Sequence, residues 1–186
     1  DNDPNDATRA GITKIPDAPH FYAFHKEQPN VWGYSITDRT VDPNDDSDPD
    51  RIGKNTLISY DAIIDPVSKE TNQTVSFTGA GSETPKDNVQ NDFVFKGSYN
   101  EATKETTWEN KNHTYGTVKV PVVTGYFADK AEAGAKTVTP DSPKATDTVT
   151  YKALGKIIPV DASGNVIVNA PQPQYLNDAN DPRKAG

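Results

Sequence analysis

Thr74-Val75-Ser76-Phe77-Thr78 alternates small polar residues with Val and Phe, a period of two. That pattern predicts a β-strand with one apolar face. Working outward, the signature recurs. Phe93-Val94-Phe95-Lys96-Gly97-Ser98-Tyr99 sets aromatics on alternate positions. Asn100 to Lys104 turns the chain, and Thr106-Thr107-Trp108 returns it as a hairpin partner. Further strands are predicted within residues 20–25, 31–36, 56–64, 117–123, 136–139 and 146–151. Pro121 demands a sheet edge or a strand end. Asp65-Pro66 and Lys69-Glu70 read as a turn, and residues 79–91, rich in Gly, Ser, Pro and Asn, read as a long loop. Only residues 129–135 lean towards helix, and that piece is short and broken by Gly134. The fold expected is mainly β: an elongated unit of antiparallel or mixed sheets with extended Pro/Asp-rich linkers. A sandwich-like arrangement is one form. A β-grasp-like one, with its helix at 129–135, is the other.

Composition narrows the functional classes. The chain has 186 residues, of which 33% are hydrophobic, with a mean hydropathy of -0.78. The excess polar mass is Thr, Asn, Asp, Ser and Pro, which predicts a folded middle with poorly buried ends. A formal net charge of -8 and a pI near 4.8 lack the basic footprint that nucleic acid requires. No window approaches the roughly 20 apolar residues of a membrane span, so no direct membrane insertion is expected. Without cysteine there is no disulfide, thiolate nucleophile or thiol-bearing metal site. Methionine is absent even at residue 1, which reads as a piece of a longer chain. Stability then comes from the core, or from another covalent device such as a Lys–Asn isopeptide bond.

The two ends share a pattern. Residues 1–11 are DNDPNDATRAG and residues 176–186 are LNDANDPRKAG, at an offset of 175. Asn2, Asp3, Asn5, Asp6, Ala10 and Gly11 recur as Asn177, Asp178, Asn180, Asp181, Ala185 and Gly186. Such a match predicts a tandem array in which each period carries its own core. Adjacent repeats are then partners by construction. Three segments follow. Residues 1–50 form a linker with a small strand-rich piece, either self-contained or part of a companion domain. Residues 51–154 form the main β domain. Residues 155–186 form a short hairpin around Asp161–Asn165 and an acidic, Pro-rich connector.

Chemistry-bearing motifs are sparse. There is no H-E-x-x-H, Gly-rich phosphate loop or G-x-S-x-G elbow, so no enzymatic role is expected. His20 and His25 fall on opposite faces of an unbroken strand, which does not make a metal pair. Asp46, Asp48 and Asp50 alternate like the opening of a calcium loop. Yet position 12 would be Leu57 and the central Gly is missing, so an EF-hand is excluded. A weak irregular calcium site there is the only cofactor reading, against a solvated linker of six aspartates between Asp38 and Asp50. Asn72-Gln73-Thr74 and Asn112-His113-Thr114 match the glycosylation sequon, a weak pattern.

Several of these pieces, taken in order, resemble the mucus-binding repeats of Gram-positive, chiefly lactobacillar, surface adhesins. They are Phe93 to Asn100, Thr103 to Trp108, Pro121-Val122-Val123-Thr124-Gly125-Tyr126, Thr137-Val138-Thr139-Pro140 and Thr148-Val149-Thr150-Tyr151. The resemblance covers about residues 54–186. Asn100 stands where the family often has Asp, Lys104 where it usually has Gly, and residues 79–91 resemble an insertion. The resemblance implies an extracellular unit at the bacterial surface, cell-wall anchored through the full-length protein. It implies binding of host mucin glycoproteins through their glycans, with immunoglobulin as a second ligand class and a passive spacer as the alternative role. Glycan faces are read by stacking rings beside amides and hydroxyls. The hairpin residues Asn100, Lys104 and Trp108, with Lys111 and Tyr126, are the candidate site. The stretch Phe21, Tyr22, Trp32 and Tyr34 is the alternative.

Overall fold

The computed structural model describes residues 1–28, 31–44 and 50–186. Among the described residues there are sixteen strands. In chain order they are β1 Thr13–Lys14, β2 Tyr22–Phe24, β3 Tyr34–Ser35, β4 Thr40–Val41, β5 Tyr60–Ala62, β6 Ile64–Glu70, β7 Asn72–Thr78 and β8 Asn88–Gln90. They continue as β9 Val94–Asn100, β10 Glu105–Trp108, β11 His113–Thr114, β12 Thr117–Lys119, β13 Tyr126–Ala128, β14 Glu132–Gly134, β15 Thr137–Val138 and β16 Lys144–Ala153. Among the described residues there is no α-helix, only two short 3-10 turns at Arg51–Gly53 and Gly81–Glu83. The chain is mainly β, with antiparallel and mixed sheets, as its period-two patterning predicts.

Two compact units divide it: residues 1–67 with 98–107, and residues 68–97 with 108–186. In the first unit β4 lies between β1 and β3, and β2 pairs with β5, all antiparallel. Ile15 and Val41 are its buried apolar residues. Phe24 packs edge-on to Tyr60 at 5.8 Å, with the Arg39 guanidinium 4.6 Å above its ring. Buried Gln28 ties two segments together. Its Nε2 donates to the carbonyls of His25 (2.6 Å) and Ser59 (2.9 Å), and its Oε1 accepts from Ser59 N–H at 2.8 Å.

The second unit is organised by the sheet β13-β16-β7-β8. β7 and β16 run parallel over seven residue pairs, from Lys144 opposite Asn72 to Thr150 opposite Thr78. β7 turns Gln73, Val75 and Phe77 inward, the alternation that its sequence dictates. Val75, Val149 and Tyr151 meet Val118, Val120 and Ala133 in the main apolar cluster. A second cluster joins Phe95, Tyr115 and Val138, with Trp108 packed on it. Each fully buried Val or Phe contributes about 1.5–3 kcal/mol of transfer free energy. One amide sits among them. Gln73 is completely buried; its Nε2 donates to the Gly116 carbonyl (3.1 Å) and its Oε1 accepts from Lys136 N–H (2.8 Å). Both ends of that side chain are thus satisfied, as burial requires.

Three local expectations are corrected. Residues 129–135 are not helical: β14 occupies part of them, pairing Ala133 with Val118. Gly134 (φ +80°) and Ala135 (φ +52°) take left-handed conformations incompatible with a helix, and the β-grasp alternative loses its helix. The turn read at Asp65–Glu70 is strand β6, an edge of the sheet β10-β9-β6, where Pro66 is tolerated. The loop read at 79–91 contains β8, which pairs Val89 with Thr74.

Candidate functional site

Asn100 closes the hairpin of the first candidate set. Its side-chain Oδ1 accepts from the N–H groups of Ala102 (2.9 Å) and Thr103 (3.1 Å), and its carbonyl accepts from Lys104 N–H at 2.7 Å. Its acceptor oxygen is therefore engaged in turn formation, the usual role of such a side chain. Lys104 has φ +62°, the left-handed conformation that glycine takes without strain. Its Nζ lies 4.2 Å from the centre of the Phe21 ring, a cation–π contact. Asn100, Lys104 and Phe21 all belong to the first unit. The structure joins Lys104 of one candidate set to Phe21 of the other, a pairing that strand periodicity cannot signal.

Trp108, Lys111 and Tyr126 belong to the second unit. Trp108 is half-buried, edge-on to Phe95 with ring centres 6.4 Å apart. Tyr126 is half-buried against the main apolar cluster. Lys111 is exposed. His113 stacks flat on Phe93 at 3.9 Å.

The rings that face solvent lie elsewhere. Trp32 is 51% exposed and Tyr22 39%, both in the first unit. Arg51 donates from Nη2 to the Trp32 carbonyl at 3.2 Å and anchors its backbone. Phe21 is half-buried, stacked on His20 at 4.0 Å, and Tyr34 is half-buried 6.2 Å from Phe24. Tyr175, which its sequence context did not single out, is 51% exposed. Its only signal was an isolated ring between prolines and an acidic tail.

Charge is organised locally. Asp147 is 11% exposed and accepts from Lys130 Nζ (2.5 Å) and Gly134 N–H (2.9 Å). The lysine hydrogen bond, then the backbone donor, holds its carboxyl below the usual range against the opposing effect of burial. Asp181 is lowered to about 2, chiefly by the Arg183 side chain, then by the Arg183 N–H. His25 Nδ1 meets Asp61 Oδ2 at 2.7 Å. Among the described residues no three metal-ligating side chains come together. Asp46 and Asp48 lie outside the described residues, while Asp50 lies within them.

Asn177, read in the sequence only as part of a connector, is a structural hub. Its Nδ2 donates to the carbonyls of Val123 (2.9 Å) and Tyr126 (2.8 Å), and its Oδ1 accepts from Gly125 N–H at 2.8 Å. Gln174 adds bonds from Nε2 to the carbonyls of Gly125 (3.2 Å) and Leu154 (3.1 Å).

Comparison with known families finds one match, the Muc B2-like domain, over residues 65–155. That segment is a Muc B2-like domain. It runs from within β6 to just past β16 and contains both apolar clusters of the second unit. A MucBP domain of the protein LBA1460 from Lactobacillus acidophilus is 24% identical, over 49% of this chain and 99% of that one, with a TM-score of 0.35. The mucin-binding domain of Spr1345 from Streptococcus pneumoniae is 18% identical, over 50% and 98%, with a TM-score of 0.40. The type 2 repeat of the mucus binding protein MUB from Lactobacillus reuteri is 18% identical, over 72% and 76%, with a TM-score of 0.38. No curated protein matches the chain. Asn100, Lys104, Trp108, Lys111 and Tyr126 fall inside the Muc B2-like span; Tyr22, Trp32 and Asn177 fall outside.

Proposed function

We propose that the chain is a non-catalytic adhesion module, one unit of a repeat array at a bacterial surface, that binds the glycans of host mucin. The match of residues 65–155 to the Muc B2-like domain carries this reading. Trp32, Tyr175 and Tyr22 are the rings open to solvent and free to stack on sugar, where Trp108 and Tyr126 are packed. An acidic unit of net charge -8 suits neutral glycans better than sialylated ones.

A titration with neutral mucin-type oligosaccharides tests the site. Trp32→Ala is expected to weaken binding about fivefold or more, near 1 kcal/mol, without lowering the melting temperature. Trp108→Ala and Tyr126→Ala are expected to destabilise the fold instead. Unchanged affinity in folded Trp32→Ala and Tyr22→Ala variants would exclude both rings.

A further inference from the structure

The repeated ends fold into the same object. In each, the residue pair Asn2–Ala10 or Asn177–Ala185 forms an antiparallel bridge. Asp3 N–H donates to the Arg9 carbonyl (3.3 Å) and Gly11 N–H to the Asp1 carbonyl (2.8 Å). Asp178 N–H donates to the Lys184 carbonyl (3.0 Å) and Gly186 N–H to the Leu176 carbonyl (2.8 Å). The turns are built alike as well. Asp3 Oδ1 accepts from Asn5 N–H at 2.9 Å, and Asp178 Oδ1 from Asn180 N–H at 2.8 Å. Asp6 and Asp181 accept in the same way from the N–H groups of Thr8 and Arg183, each at 2.9 Å. A Cβ on Gly11 would lie 3.1 Å from the Asn2 carbonyl oxygen, and one on Gly186 2.7 Å from that of Asn177, so glycine ends both.

The two copies differ in what they hold. The hairpin at 176–186 grips the Muc B2-like domain in front of it. Asn177 clasps the turn Val123–Tyr126, and the Pro182 carbonyl accepts from Ala128 N–H at 2.8 Å. Its Ala185 is exposed. The hairpin at 1–11 is held from the other side. The bridge is of the kind that points the N–H and C=O of Ala10 outward. Asn44 takes both: its Nδ2 donates to the Ala10 carbonyl (2.8 Å), and its Oδ1 accepts from Ala10 N–H (3.2 Å). Asp42 fixes the Asn44 amide, accepting from its Nδ2 at 2.7 Å. In this copy Asn2 and Ala7, the counterparts of Asn177 and Pro182, are exposed. Among the described residues the Asn2 amide has no hydrogen-bond partner. Each copy thus has in use the contacts that the other leaves open, and no atom is required twice.

We infer that one such hairpin is shared between neighbouring repeats. Through its Asn it clamps the Val123–Tyr126 turn of the copy before it. Through its Ala it receives Asn44 of the copy after it. The hairpin at 1–11 is therefore a docking element for the Muc B2-like domain of a second copy, and the joint between repeats is a folded clamp.

Two experiments test this. In the first, residues 176–186 are given the sequence of residues 1–11 by Leu176→Asp, Ala179→Pro, Pro182→Ala, Arg183→Thr and Lys184→Arg. Gly125 amide hydrogen exchange in this chimera should stay within about threefold of the parent, while Asn177→Ala should accelerate it about tenfold or more. A chimera that exchanges as fast as Asn177→Ala overturns the proposal. In the second, residues 1–186 are followed directly by residues 12–186, so that the central hairpin is shared. The central Ala185 amide should be protected, and Asn44→Ala in the second copy should speed its exchange about tenfold. A central Ala185 rate indifferent to Asn44→Ala overturns it.

Discussion

Gly79→Ala is expected to cost about 3 kcal/mol or more, among the largest losses available to a single methyl group in this chain. Gly79 follows β7 with φ +98°, a conformation that L side chains rarely adopt. A Cβ there would lie 2.1 Å from the Tyr151 carbonyl oxygen on β16. That neighbour is backbone, on a strand held between β7 and β13 with Tyr151 paired to Ala128, so it cannot move aside as a flexible side chain would. The two costs add where β7 leaves the main sheet beside β16. Thermal denaturation followed by circular dichroism should show the melting temperature falling on the order of 10 °C. A fall of only a degree or two would mean that the strands are not this close.

Phe95→Ala should cost about 3–5 kcal/mol. The ring has no exposed surface; Phe93 meets it edge-on at 5.0 Å, and Trp108 at 6.4 Å. Tyr115 and Val138 complete the cluster. Strands β9, β10, β11 and β15 and the residues beside them supply these side chains, so collapse into the cavity would require several backbone segments to shift. Urea titration should show a lower midpoint with an unchanged slope. A loss below about 1 kcal/mol would mean that the second cluster repacks freely.

Much of the sheet was legible because its strands obey a period of two. Val75 and Phe77 in β7, Phe95 in β9 and Val149 and Tyr151 in β16 face inward as alternation requires. The parallel pairing of β7 with β16 was not legible, since hydrophobic period fixes a face but not a partner. β6 escaped because Pro66 and its charged neighbours read as a turn, while an edge strand tolerates both. Residues 129–135 escaped because their composition suits a helix, and the pairing of β14 with β12 overrides that preference. The repeat at the two ends was plain in sequence, but its hairpin was not. A signal was there: Asp3, Asp6, Asp178 and Asp181 each stand two residues before the N–H they bind. For the site, aromatic residues could be named but not sorted. Exposure separates Trp32 from Trp108, and it depends on which long-range contacts each ring finds.

The most direct measurement is binding of the intact chain to immobilised mucin before and after enzymatic removal of its O-glycans. The account predicts saturable binding to native mucin that falls about tenfold or more once the glycans are gone. Absence of saturable binding to native mucin up to about 1 mM chain would contradict it and leave the unit as a spacer.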